Sequence, residues 1–355
     1  MPLPFGQRLK AARVMAGLSM DDLVKRMEGR ISKQAISKYE NGLMMPDSSV
    51  LIALAEALGV GVDYFFSENR LVVEDINFRK RASLGKKRKD SLLAKVKDGL
   101  ERYVELESFY PDAPVFSNPF ESRTISCKDD IESAAFSLRQ AWGAGEAAPV
   151  AHVVDLLEEH GIKVMEFAED DSFDGLSGLV NGSPFIILNA NMPTDRKRLT
   201  ALHELAFLCL SFNPSLSESE KEKLCHSFGG AFLLPKNVLE HELGTKRSEI
   251  SLFELASLKE QYGISMQAIM HRTVSCGIIS HYVYEQFSMM ISTKGWRKVE
   301  PVSYPVPEEP QRFKQLLHRA LSENLISVSK AAYLSGMSIG ELQREQALED
   351  ALSHS

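Results

Sequence analysis

The first 68 residues show the spacing of apolar positions that is typical of short helices. Phe5, Leu9, Ala12 and Met15 recur every three or four residues, which places them on one face of a helix that ends at Gly17. Three further helices follow, each predicted to begin at a residue type that caps helix N-termini: Ser19, Ser32, and Asp47 or Ser48. The pattern therefore predicts a compact helical bundle for residues 1–68.

The pattern changes in the next part of the chain. From Leu92 the chain has the spacing of one long amphipathic helix, with Val96, Leu100 and Tyr103 near one face. A stretch rich in Pro and Ser at 110–130 then marks a boundary. We expect the long helix to serve as a spacer and dimer contact between two domains.

Beyond this boundary, helical and strand patterns alternate. Two amphipathic helices are followed by a strand near 163–169, and two apolar strands, LSGLVN and PFIILN, are joined around Gly182. An apolar helix at 198–212 comes next, and the remainder is largely helical with a Pro-rich break at 300–310. This order predicts a mostly α protein with a small α+β domain of few strands.

These patterns divide the chain into four regions. We predict a helical domain at 1–68, a basic linker with the amphipathic helix at 69–110, the α+β domain at 111–300 and a helical module at 301–355. With 355 residues, of which 44% are hydrophobic and 25% charged, the chain is long enough for two or three domains with cores of their own.

Net charge, cysteine spacing and hydropathy argue against several classes of protein. The net charge of −7 argues against a protein that coats nucleic acid over its whole surface. The four cysteines are scattered without a C-x-x-C pair, so neither a metal ribbon nor a disulfide framework is expected. No stretch has the pattern of a signal peptide or a membrane span, and we therefore expect a cytoplasmic protein without membrane partners.

The apolar helix of the α+β domain carries a polar pair, His203 and Glu204. In zinc peptidases such a pair is part of the motif H-E-x-x-H. The two His, four residues apart, share one helix face and can hold one ion, while the Glu activates a water. This chain has Phe207 at the position of the second ligand, and a phenyl ring offers zinc no lone pair. Neither Cys209 nor Cys225 lies at a position that replaces it. The motif therefore predicts a site that has lost one ligand.

The first region resembles the XRE-type helix-turn-helix domain of phage repressors over its whole length. LSMDDLVKRM matches the first helix of the motif and ISKQAISKYENG matches the recognition helix, in which Ile36 and Tyr39 are spaced to face the core. The resemblance implies that this helix enters the major groove of DNA. We also expect an ion pair between Arg13 and Glu40 that ties the first helix to the recognition helix. The outward residues are those expected to meet the duplex: Ser32, Lys33, Gln34, Ser37 and Lys38.

A strongly basic stretch, FRKRASLGKKRKDSLLAKVK, follows at 78–97. Clustered Lys and Arg beside a recognition helix add sequence-independent attraction for phosphates, although the same run also fits a solvated linker surface. Repressors of this kind bind two half-sites about one turn of DNA apart, which requires a two-fold dimer. We therefore predict a homodimer on double-stranded operator DNA.

The α+β region resembles the ImmA/IrrE family of zincin-like metallopeptidases, usually attached to a helix-turn-helix domain. The resemblance rests on GLSGLVNGSPFIILN, RKRLT, the His-Glu helix, and a second helix that contains His226 and ends in AFLLP. It implies that His203 is the first metal ligand, Glu204 the general base and His226 the third ligand, whereas Phe207 matches nothing.

This departure predicts a vestigial metal site. No cofactor is expected and zinc, if bound, is held weakly, so Glu204 is catalytic only if the site is active. In active relatives the edge strand of the sheet holds an extended peptide by β-augmentation. That edge can still bind a partner's segment after catalysis is lost.

The order of XRE domain, basic linker, ImmA/IrrE domain and helical tail is similar to long regulators found as antitoxins beside toxin genes, or in prophages. We predict a sequence-specific DNA-binding transcriptional regulator, an autoregulating antitoxin, whose peptidase-like domain binds a toxin, another protein partner or a signal. One alternative is a zinc endopeptidase that cleaves a partner protein or repressor. Another is a protein-binding module whose first bundle contacts no DNA. The stretches ISVSKAAYLSG and SIGEL resemble a second, minimal helix-turn-helix with few basic residues, for which partner binding is expected.

Overall fold

The computed structural model describes residues 4–67, 71, 73–78, 85–120 and 123–345. Its helices are, in chain order, α1 (Pro4–Met15), α2 (Met20–Arg26), α3 (Lys33–Glu40), α4 (Ser48–Leu58), α5 (Lys86–Glu107), α6 (Lys128–Ala141), α7 (Val153–Glu159), α8 (Thr194–Cys209), α9 (Glu218–Leu233), α10 (Lys236–Leu243), α11 (Leu252–Tyr262), α12 (Met266–Ser275), α13 (His281–Thr293), α14 (Arg312–Ser322) and α15 (Val328–Ser335). Its strands are β1 (Val73–Phe78), β2 (Thr124–Ile125), β3 (Lys163–Phe167), β4 (Gly175–Val180), β5 (Ser183–Asn189) and β6 (Ser211–Phe212). A short 3₁₀-helix, Val62–Phe66, follows α4.

The described residues are mostly helical with small sheets, which confirms the predicted fold class. They form two compact units: the first contains α1 to α5 with α14 and α15, and the second contains the sheets and α6 to α13. The C-terminal helices thus pack in the same unit as the N-terminal bundle. None of the described helices combines the length and apolar character that crossing a membrane requires.

The N-terminal bundle has the core that its sequence pattern predicts. Phe5, Leu9 and Ala12 of α1 are buried in one cluster with Ile36 and Tyr39 of α3. Helices α2, α3 and α4 begin at side chains that accept hydrogen bonds from backbone N–H groups, as predicted: Ser19, Ser32 and Asp47. The helix starts and the core face are therefore set by local sequence.

An ion pair joins α1 to α3 inside this bundle. Arg13 donates from Nε to Glu40 Oε1 at 2.6 Å and from Nη2 to Glu40 Oε2 at 2.9 Å, and it also donates to the Leu18 carbonyl. The side chains of Arg13 and Glu40 are only 11% and 3% exposed. The predicted ion pair is confirmed, and its two parallel hydrogen bonds fix α3 against α1.

Replacing one partner of this pair is expected to destabilise the bundle. Arg13→Ala should lower the free energy of unfolding of the first unit by about 3 kcal/mol, because the Glu40 carboxylate would stay buried without a cation. Amide hydrogen exchange of α1 and α3 measures the loss. The exposed Lys10 of the same helix provides the control variant, Lys10→Ala. Equal exchange in the two variants would contradict a structural role for the pair.

Helix α5 packs within the first unit. Its Ser91 hydroxyl donates to the Met15 carbonyl at 2.7 Å, and its Glu101 pairs with Arg8 of α1 at 2.5 Å. Its buried residues form one stripe: Leu92, Val96, Leu100, Tyr103 and Leu106. The apolar face that we expected to act as spacer and dimer contact is thus buried within the chain, because α1, α14 and α15 pack against α5.

The second unit is built on a sheet with the strand order β1-β4-β5-β3. Strands β4 and β5 pair antiparallel, and the turn residues Asn181 and Gly182 have the positive φ values, 48° and 78°, that a type I′ hairpin turn requires. The predicted hairpin is confirmed. Strand β3 pairs parallel with β5 and forms one edge of the sheet. The other edge is β1, which lies in the region predicted to be a linker.

The Pro-rich segment at 300–310 is part of the second unit up to residue 310. Arg198, which is 0% exposed, donates to Glu308 Oε2 at 2.6 Å and to three backbone carbonyls. Glu308 Oε1 accepts a hydrogen bond from the Val154 N–H at 2.6 Å, and the Arg198 guanidinium lies 4.9 Å from the centre of the Tyr304 ring. This segment therefore joins α7 to α8 through a buried charge pair.

Candidate nucleic-acid interface and candidate metal centre

Helix α3 has one apolar and one polar face. Ile36 and Tyr39 point into the bundle and are 0% and 6% exposed. The opposite face carries the five residues expected to meet DNA, four of them exposed and Ser37 partly exposed: Ser32, Lys33, Gln34, Ser37 and Lys38. A helix divided in this way can lie in a major groove with its polar side chains toward base edges and phosphates.

The outward side chains differ in how available their polar groups are. Ser32 caps α3 with its hydroxyl oxygen, and Lys33 Nζ lies 2.7 Å from the Asp21 carboxylate of α2. Among the described residues, the side chains of Gln34 and Lys38 have no hydrogen-bond or ion-pair partner. These two side chains are therefore the ones best placed to exchange water for groups on a duplex.

A second basic surface lies at the N-terminus of α5. Residues 86–89, KKRK, are exposed in the first turn, and Lys87 Nζ lies 3.5 Å from Asp22 Oδ2 of α2. The preceding basic residues at 79–84 lie outside the described residues. Cations at a helix N-terminus oppose the helix dipole, at roughly 0.3–1 kcal/mol each. Phosphate groups bound at this turn would offset that repulsion.

The predicted metal ligands on α8 and α9 lie together, and a third group joins them. His203 Nε2 lies 3.3 Å from Glu222 Oε2, and the His203 and His226 rings are 4.3 Å apart between centroids. One ligand atom from each of the three side chains lies within 4.8 Å of the others. His203 is buried, Glu222 is partly exposed and His226 is exposed, so the group opens to solvent on the side of α9.

This group fits a zinc ion in number and in chemistry. Catalytic zinc sites use three protein ligands, and two His with one Glu is a known set. Two ligands about 2.1 Å from a tetrahedral zinc lie roughly 3.4 Å apart, close to the 3.3 Å between His203 and Glu222. Sequence analysis missed Glu222. Its signal was the spacing of four residues between Glu222 and His226, which places both on one face of α9.

The surroundings of the His-Glu pair are tightly packed. The Phe207 ring lies 5.0 Å from the His203 ring between centroids, on the helix face where a second imidazole would stand. Glu204 is 1% exposed, and its Oε2 accepts a hydrogen bond from the Ser177 hydroxyl at 2.8 Å. Burial raises the pKa of the Cys209 thiol to about 12, so this cysteine offers no thiolate near neutral pH. The side chain that can complete a group of three potential ligands is therefore Glu222 of α9.

A cleft of about 860 Å³ adjoins the exposed side of this group. It is lined by parts of α6, α8, α9 and α12 and by the segment 297–304, with His226, Thr200 and Arg272 in its walls. Its volume is that of a site for a small molecule or part of a peptide. Burial, together with the nearby Lys128 and Arg272, lowers the pKa of His271 in the same wall.

Comparisons with known proteins find two families, one in each part of the chain. Residues 9–65 match the helix-turn-helix family model, and residues 157–274, which include α8 and α9, match the IrrE N-terminal-like domain model. Over 63 residues the chain is 40% identical to an "uncharacterized transcriptional regulator in ATPase CF(0) region" of Rhodospirillum rubrum. The match covers 18% of this chain and 56% of that relative, so only about half of the relative's length is spanned. The chain therefore carries an XRE-type helix-turn-helix domain and a domain of the IrrE N-terminal-like family.

Proposed function

We propose that the chain is a transcriptional regulator that binds operator DNA through α3. The observation that carries the proposal is the outer face of α3, on which Gln34 and Lys38 are exposed. A glutamine amide can bind adenine by two hydrogen bonds, and a lysine can bind guanine edges or phosphates. The Rhodospirillum rubrum relative is described as a transcriptional regulator, which supports the same function for the matched residues.

The proposal is tested with the full chain and a duplex from its own promoter region. Fluorescence anisotropy should show tighter binding to the promoter duplex than to a scrambled duplex of equal length and composition. We further propose that two chains bind per operator, which sedimentation of the complex measures. Equal affinity for both duplexes would contradict sequence-specific regulation. An absence of binding to any duplex at low salt would favour the protein-binding alternative.

The basic turn of α5 is expected to contribute affinity without specificity. Lys86→Ala combined with Lys87→Ala should weaken binding to promoter and scrambled duplexes by the same factor, because both side chains would meet phosphates. The slope of log affinity against log salt should fall by about 2. Titrations at several salt concentrations measure this slope. An unchanged slope would identify residues 86–89 as a solvated surface only.

For the IrrE-like domain we propose a role in binding a protein partner or a signal, and an autoregulating antitoxin is the narrower form of this proposal. Support for binding over catalysis comes from Phe207 at the second ligand position and from the burial of Glu204. The antitoxin form is supported by the order of the domains alone. Co-expression with the product of the neighbouring gene tests it: a stable complex that relieves toxicity is expected, and unrelieved toxicity would contradict it.

A second candidate function is a zinc-dependent endopeptidase that cleaves a partner protein or repressor, and Glu222 is the observation that favours it. His203, Glu222 and His226 would hold the ion, which would supply Lewis-acid activation of water. Glu204, positioned by Ser177, would accept a proton. Stoichiometric zinc in the purified protein, lost in His203→Ala and His226→Ala, is the result that would support this candidate. Metal-free protein after growth with zinc would contradict it.

A further inference from the structure

Strand β1 occupies an edge of the sheet that would otherwise be open. Strands β3, β4 and β5 come from one continuous part of the chain, residues 163–189, whereas β1 comes from residues 73–78. Without β1, strand β4 would present a row of unpaired backbone N–H and C=O groups, which is a template for another extended segment. Strand β1 therefore supplies to β4 what an extended peptide would supply.

The covered edge belongs to the strand that lies against the His-Glu helix. Ser177 of β4 donates to the Glu204 carboxylate of α8 at 2.8 Å. At Gly175, a Cβ atom would lie 2.9 Å from Thr200 Cγ2 and 3.6 Å from Glu204 Cγ, so the β4 backbone approaches α8 closely. A peptide bound along this edge would therefore lie on the strand that positions Glu204.

The sequence of β1 indicates that β4 holds it in place. Three of its six residues, in the stretch VEDINF, are Glu, Asp and Asn, which are depleted in strands. The apolar and polar pattern of the chain accordingly predicted no strand there. Because a short strand of this composition has little preference for the extended shape by itself, its conformation depends on the partner strand. A peptide with a better sequence can offer β4 the same backbone groups.

We propose that residues 73–78 are an internal competitor: β1 covers the edge of β4, where the family resemblance implies that an extended peptide binds, and so limits the binding of a partner segment there. The inference rests on the proposed role of the IrrE-like domain in protein binding, and it requires neither DNA nor a metal. Because β1 is tethered in the same chain, it competes at an effective concentration on the order of millimolar. The apparent affinity for a partner segment is lowered by the fraction of molecules in which β1 covers the edge.

Two proline substitutions test this pairing as a matched pair. Successive residues of a strand direct their N–H groups to opposite sides, so a proline removes a hydrogen bond to β4 only at every second position. Of Asp75→Pro and Ile76→Pro, one should uncover β4 and the other should leave it covered. The probe is a fluorescent peptide with the sequence of residues 71–80, LVVEDINFRK, added to the full-length variants.

Wild-type protein and one proline variant should bind this peptide weakly, and the other variant should bind it roughly tenfold or more tightly. Amide exchange of β4 should rise in that variant alone and fall again when the peptide is added. Weak binding by both variants would overturn the inference. Equal gains in peptide affinity in both variants would also overturn the inference. They would indicate that either proline destabilises the segment in general, and not that one of them removes a specific hydrogen bond to β4.

The outcome can be separated from that of the proposed function. Promoter specificity is measured on the same wild-type protein, so its loss would overturn the regulator proposal and leave the peptide result intact. Mass spectrometry of the probe after incubation distinguishes binding from cleavage. An intact peptide supports the binding role, whereas cleavage at the same edge would identify the endopeptidase candidate and still support the peptide-binding edge.

Discussion

Glu308→Ala is expected to lower the free energy of unfolding of the second unit by about 3–5 kcal/mol. The substitution would leave the guanidinium of Arg198, which is 0% exposed, without its carboxylate partner. It would also remove the acceptor of the Val154 N–H. Both changes leave a buried polar group without its hydrogen-bond acceptor, which is more destabilising than the loss of an exposed ion pair.

The measurement uses tryptophan fluorescence during urea unfolding of the full chain. Both tryptophans of the chain, Trp142 and Trp296, lie in the second unit, so their emission reports on that unit. Glu309→Ala is the matched control, because Glu309 is the exposed neighbour of the buried Glu308. Its effect should stay within about 0.5 kcal/mol. Equal effects of the two substitutions would show that the buried pair does not hold this segment.

Phe207→His is expected to raise zinc affinity on the order of 100-fold. The substitution restores a second imidazole four residues after His203, on the helix face that already meets Glu222 and His226. The free energy of zinc binding to sites with four ligands is ~10–16 kcal/mol, so that one added ligand contributes roughly 3 kcal/mol to it. Competition with a chromophoric chelator measures the affinity without reference to any catalytic activity.

Leu208→His is the control for this gain. Leu208 is the next residue of α8 and is partly exposed like Phe207, but it projects from the helix in another direction. Glu222→Gln, made in the Phe207→His background, should remove much of the gain if Glu222 is a ligand. A gain in Leu208→His equal to that in Phe207→His would mean that an added histidine binds zinc wherever it stands.

The features that sequence analysis predicted are set by neighbouring residues. The caps at Ser19 and Ser32, the core positions Ile36 and Tyr39, and the turn at Gly182 follow from spacing and from turn chemistry. Such signals lie within one or two turns of a helix or within one hairpin. The pair of Arg13 and Glu40 was also predicted, because the resemblance to a known domain supplied the long-range contact.

The features that were missed depend on partners far away in sequence. Glu308 pairs with Arg198, which lies 110 positions away in sequence, and the periodicity of the sequence does not show which buried charges form a pair. The apolar stripe of α5 showed that one face is buried, but not that α14 and α15 bury it. Strand β1 was missed for the same reason, because its extended shape follows from the edge that it covers.

The candidate metal site contains residues that the sequence motif revealed and one residue that only the packing of two helices revealed. His203, Glu204 and His226 were found because they stand in recognisable stretches of sequence. Glu222 was overlooked because only two cysteines, Cys209 and Cys225, were considered as replacements for the missing ligand, whereas the structure brings the Glu222 carboxylate of α9 against His203. A group of three potential metal ligands can thus remain after one position of the motif is lost, because a neighbouring helix carries a suitable side chain.

Binding of operator DNA through α3 is tested most directly by one comparison of affinities. The full chain, its Gln34→Ala plus Lys38→Ala variant, and a control that removes the same exposed residue types from the second unit, Gln261→Ala plus Lys294→Ala, are titrated with promoter and scrambled duplexes. We predict that the α3 variant loses about 100-fold in promoter affinity and binds both duplexes alike, while the control keeps wild-type affinity. An α3 variant that still prefers the promoter as strongly as the wild-type chain would contradict recognition through this helix.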